Sequence, residues 1–435
     1  MSKLIKTKIL TSDLEIGMHV IELDRSWLDS DFLMQGFIIQ NQAELDALQR
    51  QCEFVYIEGT LTTSQPAKNR RQSSQGLTAR KPRGDSKKYP ETPKSSLTKP
   101  LANRKVRYIN KVSFREEFSR AQVTFTDAKS VAKGIMEGIR IGRAIDMHEA
   151  KSTVDRVVDS ILNNKDALIW LSKVKEKDEY TAEHSLNVCI LSVTFARFLG
   201  HDEGEIRKIG LGALLHDIGK ARIPLEVLNK PGRFTDEEFL MMKKHPVFGR
   251  NMLMSLPSSD LSAVDVAFSH HERIDGKGYP RQLAAHQISY AAKLVAITDA
   301  YDAITSNRCY DKGRASMVAL DIIYKNRGAQ FDEELALEFI KCIGIYPPGS
   351  IVEMTNGEVG IIIEENRDSK LKPKVILVRD EQKNPCRERV VDLHLPDLDG
   401  AGKPYAISKE VPDGSYDIFI KEYLANGLLL KRSDN

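Results

Sequence analysis

The stretch His270-His271-Glu272-Arg273-Ile274-Asp275-Gly276-Lys277-Gly278-Tyr279-Pro280 joins two adjacent histidines to a glycine-rich turn. The apolar spacing before it predicts a helix near Ser262–His271, which the two histidines end. Two glycines that bracket one residue and are followed by Tyr-Pro predict a tight loop with unusual backbone angles. A loop of this kind directly after a double histidine is a candidate for shaping a functional site. The candidate loop residues are Asp275, Gly276, Gly278, Tyr279 and Pro280.

A second polar pattern lies upstream, where His216-Asp217 sits late in a predicted helix near Glu205–Lys220. An adjacent imidazole and carboxylate can share metal ions, the imidazole binding one ion and the carboxylate bridging two. The dipeptide alone is weak evidence, because about half of chains with this composition contain one by chance. His201-Asp202 is a second such pair in this chain, and we interpret it as a solvated loop after a helix C-terminus.

Three more polar side chains, His184, Asp299 and Asp302, lie on predicted helices that are otherwise largely apolar. His245-Pro246 marks a junction between two predicted helices. A lone histidine in such a place is more often a hydrogen-bonded core residue than a ligand. Asp299 is harder to explain in that way, because a buried carboxylate requires a partner.

The imidazoles and carboxylates together suit a transition-metal site containing Fe, Mn, Ni or Zn. The chain has five cysteines, which are far apart and form no C-x-x-C pair. This spacing supports neither a structural zinc site nor a disulfide framework. Five histidines and two aspartates exceed the needs of one metal ion, and they suit two ions that share Asp217.

The region around these motifs predicts an all-helical domain at residues 111–345, so the chain is mainly α. Gly134, Gly138 and Gly142 recur every four residues in its first predicted helix, 114–145, and lower the helix propensity there. The later predicted helices are near residues 178–199, 205–220, 236–244, 247–254, 262–271, 289–306, 315–326 and 333–342.

Smaller regions flank the helical domain. Residues 1–62 predict a small α/β module, which we interpret as regulatory. In it, runs 18–21 and 54–57 favour strands and Asn41 caps a helix. Residues 346–435 predict a β-rich appendage, because Asn356-Gly357 between two apolar runs is a hairpin signal.

Residues 63–110 predict a basic, disordered linker. Between Ser64 and Tyr108 there are 13 Lys and Arg residues and two acidic residues, against a net charge of +3 for the whole chain. Ser, Gln and Pro are frequent there and aromatic residues are few, a composition typical of disorder. An alternative is contact with nucleic acid or a membrane surface, but only Tyr89 interleaves with the charges, so we expect no nucleic-acid partner.

Two features of the sequence bear on its location. No apolar run approaches the roughly 18 residues of a transmembrane segment. The first 20 residues also lack the continuous apolar region of a secretion signal. Together with the cysteine spacing, these features predict a cytoplasmic protein.

The motifs together resemble the HD-GYP family of bacterial cyclic-dinucleotide (cyclic di-GMP) phosphodiesterases, a branch of the HD hydrolase superfamily. The resemblance covers about residues 175–345 and implies an HD-type metallohydrolase fold with its catalytic core there. Residues 1–60 resemble an uncharacterised N-terminal domain often found before HD-GYP domains. The motifs that carry the main resemblance are His184-Ser185, His216-Asp217-Ile218-Gly219-Lys220, His245-Pro246, residues 270–280, Asp299 and Asp302-Ala303.

The resemblance also implies a set of metal ligands. One ion would be held by His184, His216, Asp217 and Asp299, and a second by His245, His270 and His271, with Asp217 bridging. Iron or manganese, as divalent or mixed-valence ions, is implied. Some family members bind a third metal through a Glu one helical turn before the first histidine, where this chain has Tyr180, so we expect two ions.

The implied reaction is hydrolysis of cyclic di-GMP to linear pGpG and onward to GMP, by in-line attack of a metal-bridging hydroxide. Asp217 and Lys220 are the implied catalytic residues, although Lys220 can also be read as a plain helix-end cation. Arg308 and Lys312 resemble the family's phosphate-binding basic pair. Cys309 and Asp311 depart from the family pattern, in which Pro and a basic residue are common at these positions.

Other functions remain open from the sequence. The preferred substrate can be 3′,3′-cyclic GMP-AMP, because the metal ligands do not select the base. Another HD nucleotide phosphohydrolase activity is disfavoured by the GYP loop. A non-catalytic receptor, or an adaptor for diguanylate cyclases or other signalling proteins, is disfavoured by the seven intact ligand positions. The helical segment 113–174 is a candidate dimer helix, so a homodimer is a further hypothesis.

Overall fold

The computed structural model describes residues 5–24, 37–39, 42–59, 105–174, 180–230, 232–257, 259–306, 314–366, 369 and 371–425. These residues fall into two compact units, one within residues 1–90 and the other within residues 91–435. Arg308 and Lys312 lie outside the described residues, as do residues 63–104 of the predicted linker.

The N-terminal unit is a small antiparallel sheet with one helix. Its described elements are β1 (Ile5–Leu10), β2 (His19–Leu23), β3 (Phe37–Ile38), α1 (Gln42–Gln51) and β4 (Phe54–Gly59). The sheet order is β1-β4-β2-β3, so the last strand pairs between the first two. Buried apolar residues that include Val20, Leu48 and Val55 form its core. Both predicted strand runs are confirmed, whereas Asn41, the predicted helix cap, lies outside the described residues.

Helices dominate the second unit. They are α2 (Phe114–Arg140), α3 (Met147–Asn163), α4 (Lys165–Ser172), α5 (Tyr180–Leu199), α6 (Glu203–Leu215), α7 (Leu225–Leu228), α8 (Asp236–Met242), α9 (His245–Met254), α10 (Leu261–Ser269), α11 (Tyr290–Thr305), α12 (Ser316–Lys325) and α13 (Glu333–Ile343). Helix α5 is buried along almost all of its described length and packs against α6 and α11. The side chains that these three helices direct inward therefore meet at the centre of the unit.

Helix α2 begins with a capping box and continues through two of its glycines. The Ser113 hydroxyl accepts a hydrogen bond from the Glu116 amide, and the Glu116 carboxylate accepts one from the Ser113 amide. The helix passes through Gly134 and Gly138, since Ala132, Ile135, Met136 and Ile139 are buried on one face and their packing outweighs the low propensity. Gly142, with φ +81°, follows the helix end.

The pair His201-Asp202 is not a solvated loop, and our interpretation of it is wrong for the histidine. The His201 ring is buried, with Nδ1 2.9 Å from Glu205 Oε2 and Nε2 3.3 Å from the Tyr290 hydroxyl. Asp202 is exposed and caps α6 by accepting a hydrogen bond from the Glu205 amide. The imidazole is therefore held inside by Glu205, four residues away, and by Tyr290, a long-range partner that a local pattern does not reveal.

A β-sheet follows the helices. Its described strands are β5 (Ile351–Met354), β6 (Val359–Glu364), β7 (Lys374–Arg379), β8 (Pro385–Asp392) and β9 (Ile407–Val411), in the order β8-β7-β6-β5-β9, and α14 (Ile420–Ala425) follows. The predicted hairpin joins β5 to β6, with Gly357 at φ +93°. Two contacts hold the sheet to the helices: Lys165 Nζ lies 2.5 Å from Glu365 Oε2, and Glu410 accepts hydrogen bonds from the first amides of α12.

The mainly α fold with an N-terminal α/β module and a C-terminal β appendage is confirmed. The exact domain boundaries stay predictions. Residues 105–110 of the predicted linker contact the helices, because the Val106 amide donates to Gly200 O and the Arg197 guanidinium donates to Asn110 Oδ1. In the described parts of the chain, we find no helix with the length and apolar character needed to span a membrane.

Candidate metal centre

Three of the predicted ligands form a first cluster at the crossing of α5, α6 and α11. His184 comes from α5, His216 directly follows α6, and Asp299 lies on α11. Their ligand atoms lie within 4.8 Å of one another, and His184 Nε2 is 3.0 Å from Asp299 Oδ1. This geometry can hold a metal ion through two imidazoles and one carboxylate.

Four other predicted ligands form a second cluster beside the first. Asp217, His245, His270 and His271 place their ligand atoms within 4.8 Å of one another. His245 is the first residue of α9, while His270 and His271 follow the end of α10. The cluster can therefore hold a second ion through three imidazoles and one carboxylate.

Asp217 lies between the two clusters and is almost completely buried. Its Oδ2 is 3.2 Å from His216 Nε2, in the first cluster, and its Oδ1 is 3.2 Å from His245 Nε2, in the second. One oxygen thus faces each cluster, which is the arrangement that a bridging carboxylate requires.

Most of the imidazoles are oriented by a hydrogen bond at the nitrogen that faces away from the centre. Nδ1 of His216, His245 and His270 lies 2.7, 2.8 and 3.1 Å from the backbone carbonyls of Ala213, Met242 and Val266, respectively. A carbonyl oxygen only accepts, so in each case Nδ1 carries the proton. Nε2 is then left with a lone pair directed at the cluster, as a metal ligand needs.

Two polar atoms at the centre have no hydrogen-bond partner within the described residues. His216 Nε2 and Asp217 Oδ1 are buried and make no hydrogen bond of acceptable geometry there. A buried polar atom without a partner is costly, because it has lost its contact with water. A metal ion would satisfy both atoms, so the residues present fit such an ion.

The protonation states of the centre favour metal binding at most positions. Burial lowers the pKa of His245 to about 3 and holds the pKa of His271 well below its usual value, so both imidazoles are neutral. Burial opposes the ionisation of Asp217, but the interactions with Lys220, His216 and His270 together outweigh it and hold its pKa well below the usual range. Neutral imidazoles and ionised carboxylates are the forms that coordinate metals.

His184 differs from the other imidazoles because a carboxylate stands behind it. Its Nδ1 lies 2.8 Å from Asp302 Oδ2, which also accepts a hydrogen bond from the Ser306 hydroxyl. Burial favours the neutral ring, yet the hydrogen bonds to Asp299 and Asp302 raise the pKa of His184 to about 9. A metal ion must therefore displace a proton from this ligand.

We expect Asp302→Asn to weaken metal binding by about 10- to 100-fold, because a neutral amide orients and polarises the His184 ring less well. Competition with a calibrated chelator would measure the change in affinity. Asp321→Asn is the matched control, since Asp321 lies on α12 and pairs with Lys325, away from the centre. Equal metal affinities of both variants and the unchanged protein would contradict the prediction.

Two glycines allow the backbone segments of the centre to approach one another. A Cβ at Gly219 would lie 1.9 Å from His245 O, so the 3-10 turn Ile218–Arg222 touches the first turn of α9 directly. A Cβ at Gly278 would lie 2.4 Å from the Arg273 amide nitrogen. Both contacts are with backbone atoms, which cannot move aside as a flexible side chain can.

The loop after the double histidine is fixed by carboxylates. Glu272 is buried and accepts hydrogen bonds from the backbone amides of Arg281 and Leu283, at 2.7 and 2.9 Å. Asp275 binds the Arg273 guanidinium with both oxygens. The Tyr279 ring stacks on His271 with the ring centroids 4.7 Å apart, and the Tyr279–Pro280 peptide is cis. The predicted loop residues therefore support the second cluster.

A cavity of about 1080 Å³ opens above the two clusters. His184, His245, His270, His271 and Asp299 contribute to its floor. Its cationic lining residues are Lys133, Arg140, Lys220, Lys243, Arg273 and Lys277. Lys220 Nζ is 2.5 Å from Asp217 Oδ2, so this cation stands at the edge of the centre. The positive lining suits an anionic ligand.

All seven predicted metal ligands thus lie together, although their role as ligands stays a prediction. Arg308 and Lys312 are outside the described residues, and of Tyr180 only the backbone, at the start of α5, is described. The roles of Asp302 and Glu272 and the place of α2 beside the cavity were not predicted from the sequence. Asp302 had a usable signal, a second carboxylate on an apolar helix.

Two family matches cover most of the chain. Residues 157–335 match the family described as HD domain, and residues 6–150 match a domain of unknown function. The second match spans the N-terminal unit, the basic segment and helix α2.

Individual relatives agree with these matches. A cyclic di-GMP phosphodiesterase of Pseudomonas aeruginosa is 35% identical over 389 residues, which are 89% of this chain and 88% of that protein. The 3′3′-cGAMP-specific phosphodiesterase 1 of Vibrio cholerae is 34% identical over 144 residues, which are 33% of each chain. Among solved structures, an HDG"Y"P protein from Bdellovibrio bacteriovorus covers 78% of this chain and 99% of its own, at 17% identity and a TM-score of 0.45.

Proposed function

Because this chain belongs to the HD-GYP family of cyclic di-GMP phosphodiesterases, we propose that it hydrolyses cyclic di-GMP at the centre around Asp217. The observation that supports this most directly is the convergence of seven imidazole and carboxylate side chains, five of which line the floor of a cation-lined cavity. The cavity volume of about 1080 Å³ lies near the upper end of the range for ligand sites, as a ligand of two nucleotides requires.

The metal ligands of the proposal are those that the two clusters bring together. His184, His216 and Asp299 would hold one ion, His245, His270 and His271 the other, and Asp217 would bridge them. We propose iron or manganese, because imidazole and carboxylate ligands without thiolates suit both. When bound, the two ions would supply a water of lowered pKa and neutralise charge on the phosphoryl oxygens.

The chain's own groups would bind and orient the substrate. The cations that line the cavity attract a ligand with two phosphodiester charges. Lys220, beside Asp217, is placed to donate a hydrogen bond to a phosphoryl oxygen or a proton to the leaving ribose 3′-oxygen. The loop held by Glu272 keeps His271 and Tyr279 in place beside the substrate. The product would be linear pGpG, and a second hydrolysis would give GMP.

Metal-dependent turnover tests the proposal. The full chain, purified anaerobically and loaded with iron or manganese, should convert cyclic di-GMP to linear products that chromatography resolves. A chelator should remove the activity, and the same metal should restore it. The absence of turnover in protein that holds two ions would contradict the proposal and favour a receptor that binds the dinucleotide without cleaving it.

A parallel incubation with 3′,3′-cyclic GMP-AMP tests the alternative substrate. This alternative is supported by the similarity to a 3′3′-cGAMP-specific phosphodiesterase, which covers a third of the chain. We expect the higher kcat/KM for cyclic di-GMP, because the relative that matches 89% of the chain is a cyclic di-GMP phosphodiesterase. A homodimer, a diguanylate-cyclase partner and a cytoplasmic location stay predictions.

A further inference from the structure

The last two turns of α2 form one wall of the cavity above the metal centre. Lys133, Met136, Glu137 and Arg140 line it, and all precede residue 157, where the HD-domain match begins. Glu137 and Arg140 are three residues apart, so they lie on the same face of the helix and their side chains are neighbours.

This wall is fixed relative to the metal centre. Lys129 on α2 forms an ion pair with Glu183 at 2.7 Å, and both side chains are largely buried. Glu183 is the residue directly before His184, the first ligand of the centre. Met136 and Ile139 anchor the same two turns in the core. Glu137 and Arg140 are therefore presented to the cavity by a rigid element rather than by a loop.

The hydrogen-bonding groups of Glu137 and Arg140 are available to a ligand. Within the described residues, neither side chain takes part in a hydrogen bond or an ion pair, and both are exposed to the cavity. By contrast, Arg273 is occupied by both oxygens of Asp275, and Lys220 by Asp217. The wall thus presents the two unpaired oxygens of the Glu137 carboxylate beside the unpaired guanidinium group of Arg140.

Guanine presents the complementary groups on two adjacent edges. Its N1–H and exocyclic N2 amine donate side by side, which matches the two oxygens of a carboxylate. Its O6 and N7 accept side by side, which matches the fork of a guanidinium. Adenine alternates an acceptor at N1, a donor at N6 and an acceptor at N7, so neither side chain can form its pair of parallel hydrogen bonds there.

We propose that Glu137 and Arg140 form a guanine-recognition subsite, which binds one of the two bases of the cyclic dinucleotide. The inference rests on the proposed function, since a cyclic dinucleotide brings a second base to the cavity. Phe234 and Phe239, which also line the cavity, offer apolar surface against which that base can pack. Helix α2 then selects the substrate, while the HD core supplies the metal ligands.

Base analogues test this assignment. We expect Glu137→Ala and Arg140→Ala each to lower kcat/KM for cyclic di-GMP by about 10- to 100-fold, mainly through KM. The rate with cyclic di-AMP should change less than twofold. Cyclic di-inosine monophosphate lacks the N2 amine, so the unchanged enzyme should prefer the guanine substrate and Glu137→Ala should lose this preference. Asp127→Ala and Arg120→Ala, at exposed positions on α2 that do not line the cavity, are the matched controls.

The outcomes separate this inference from the proposed function. An unchanged guanine-to-inosine preference in Glu137→Ala, or variant rates within twofold of the unchanged enzyme, would overturn the subsite while leaving the phosphodiesterase intact. Calorimetry on the metal-loaded protein gives the second readout. Binding of cyclic di-GMP without turnover would overturn the proposed function alone, provided that Glu137→Ala weakens the binding, whereas no binding at all would overturn both.

Discussion

Asp217→Asn is expected to lower kcat/KM for cyclic di-GMP by about a thousandfold or more and to reduce the metal content below two ions. The carboxylate of Asp217 directs one oxygen at each cluster. Asparagine has the same size but keeps only one carbonyl oxygen, and its amide nitrogen would point donor hydrogens at one of the ions. The variant also removes the negative charge that faces Lys220.

Two measurements check this prediction. Elemental analysis of the purified variant gives the number of bound ions, and product chromatography gives the rate. Asp155→Asn is the control, because Asp155 is an exposed residue that pairs with Arg207 far from the cavity lining. Thermal unfolding shows whether the variant is folded. A folded Asp217→Asn protein with two ions and full turnover would place the reaction somewhere else in the molecule.

Gly219→Ala should have the second largest effect, through the backbone rather than through a ligand. The new Cβ would lie 1.9 Å from His245 O and 2.6 Å from the Gly249 amide nitrogen. Relief requires the turn after Asp217 and helix α9 to move apart, which separates Asp217 from His245. A shift of about 1 Å in a reacting group costs on the order of a hundredfold in rate, and overpacking costs about 1–3 kcal/mol of stability.

The expected result for Gly219→Ala is thus a rate about a hundredfold lower together with a lower Tm. Gly134→Ala is the matched control, because a Cβ there meets nothing within 4 Å and alanine favours the helix. That variant should keep its rate and unfold at the same or a slightly higher temperature. If Gly219→Ala had the same rate and Tm as Gly134→Ala, the prediction would be wrong, because the tight contact between the turn and α9 would not be needed for activity or stability.

The helices and all seven candidate ligands could be predicted from the sequence, because short local patterns of residues indicate both. Apolar spacing identifies a helix, and a motif such as HHExxDGxGYP is specific by its length alone. The hairpin at Asn356-Gly357 was predictable for the same reason, since its turn residues are adjacent in the chain.

Contacts between distant segments were not predictable in this way. His201 looked solvated because its partner Tyr290 lies 89 positions away, and the Gly219–His245 contact joins two helical segments through their backbones. The ion pair between Lys129 and Glu183 ties α2 to the segment before His184, and neither residue belongs to a motif in the sequence. Strand β9, which pairs with β5, likewise has only a long-range partner.

The hydrogen bonds behind His216, His245 and His270 have one more consequence. Each joins a ring to a backbone carbonyl three or four residues earlier in the chain. These rotamers are therefore fixed by the fold itself, and their conformational entropy is lost when the protein folds rather than when an ion arrives. Metal uptake at these three ligands should then be governed by dehydration of the ion and release of protons, with little reorganisation of the protein.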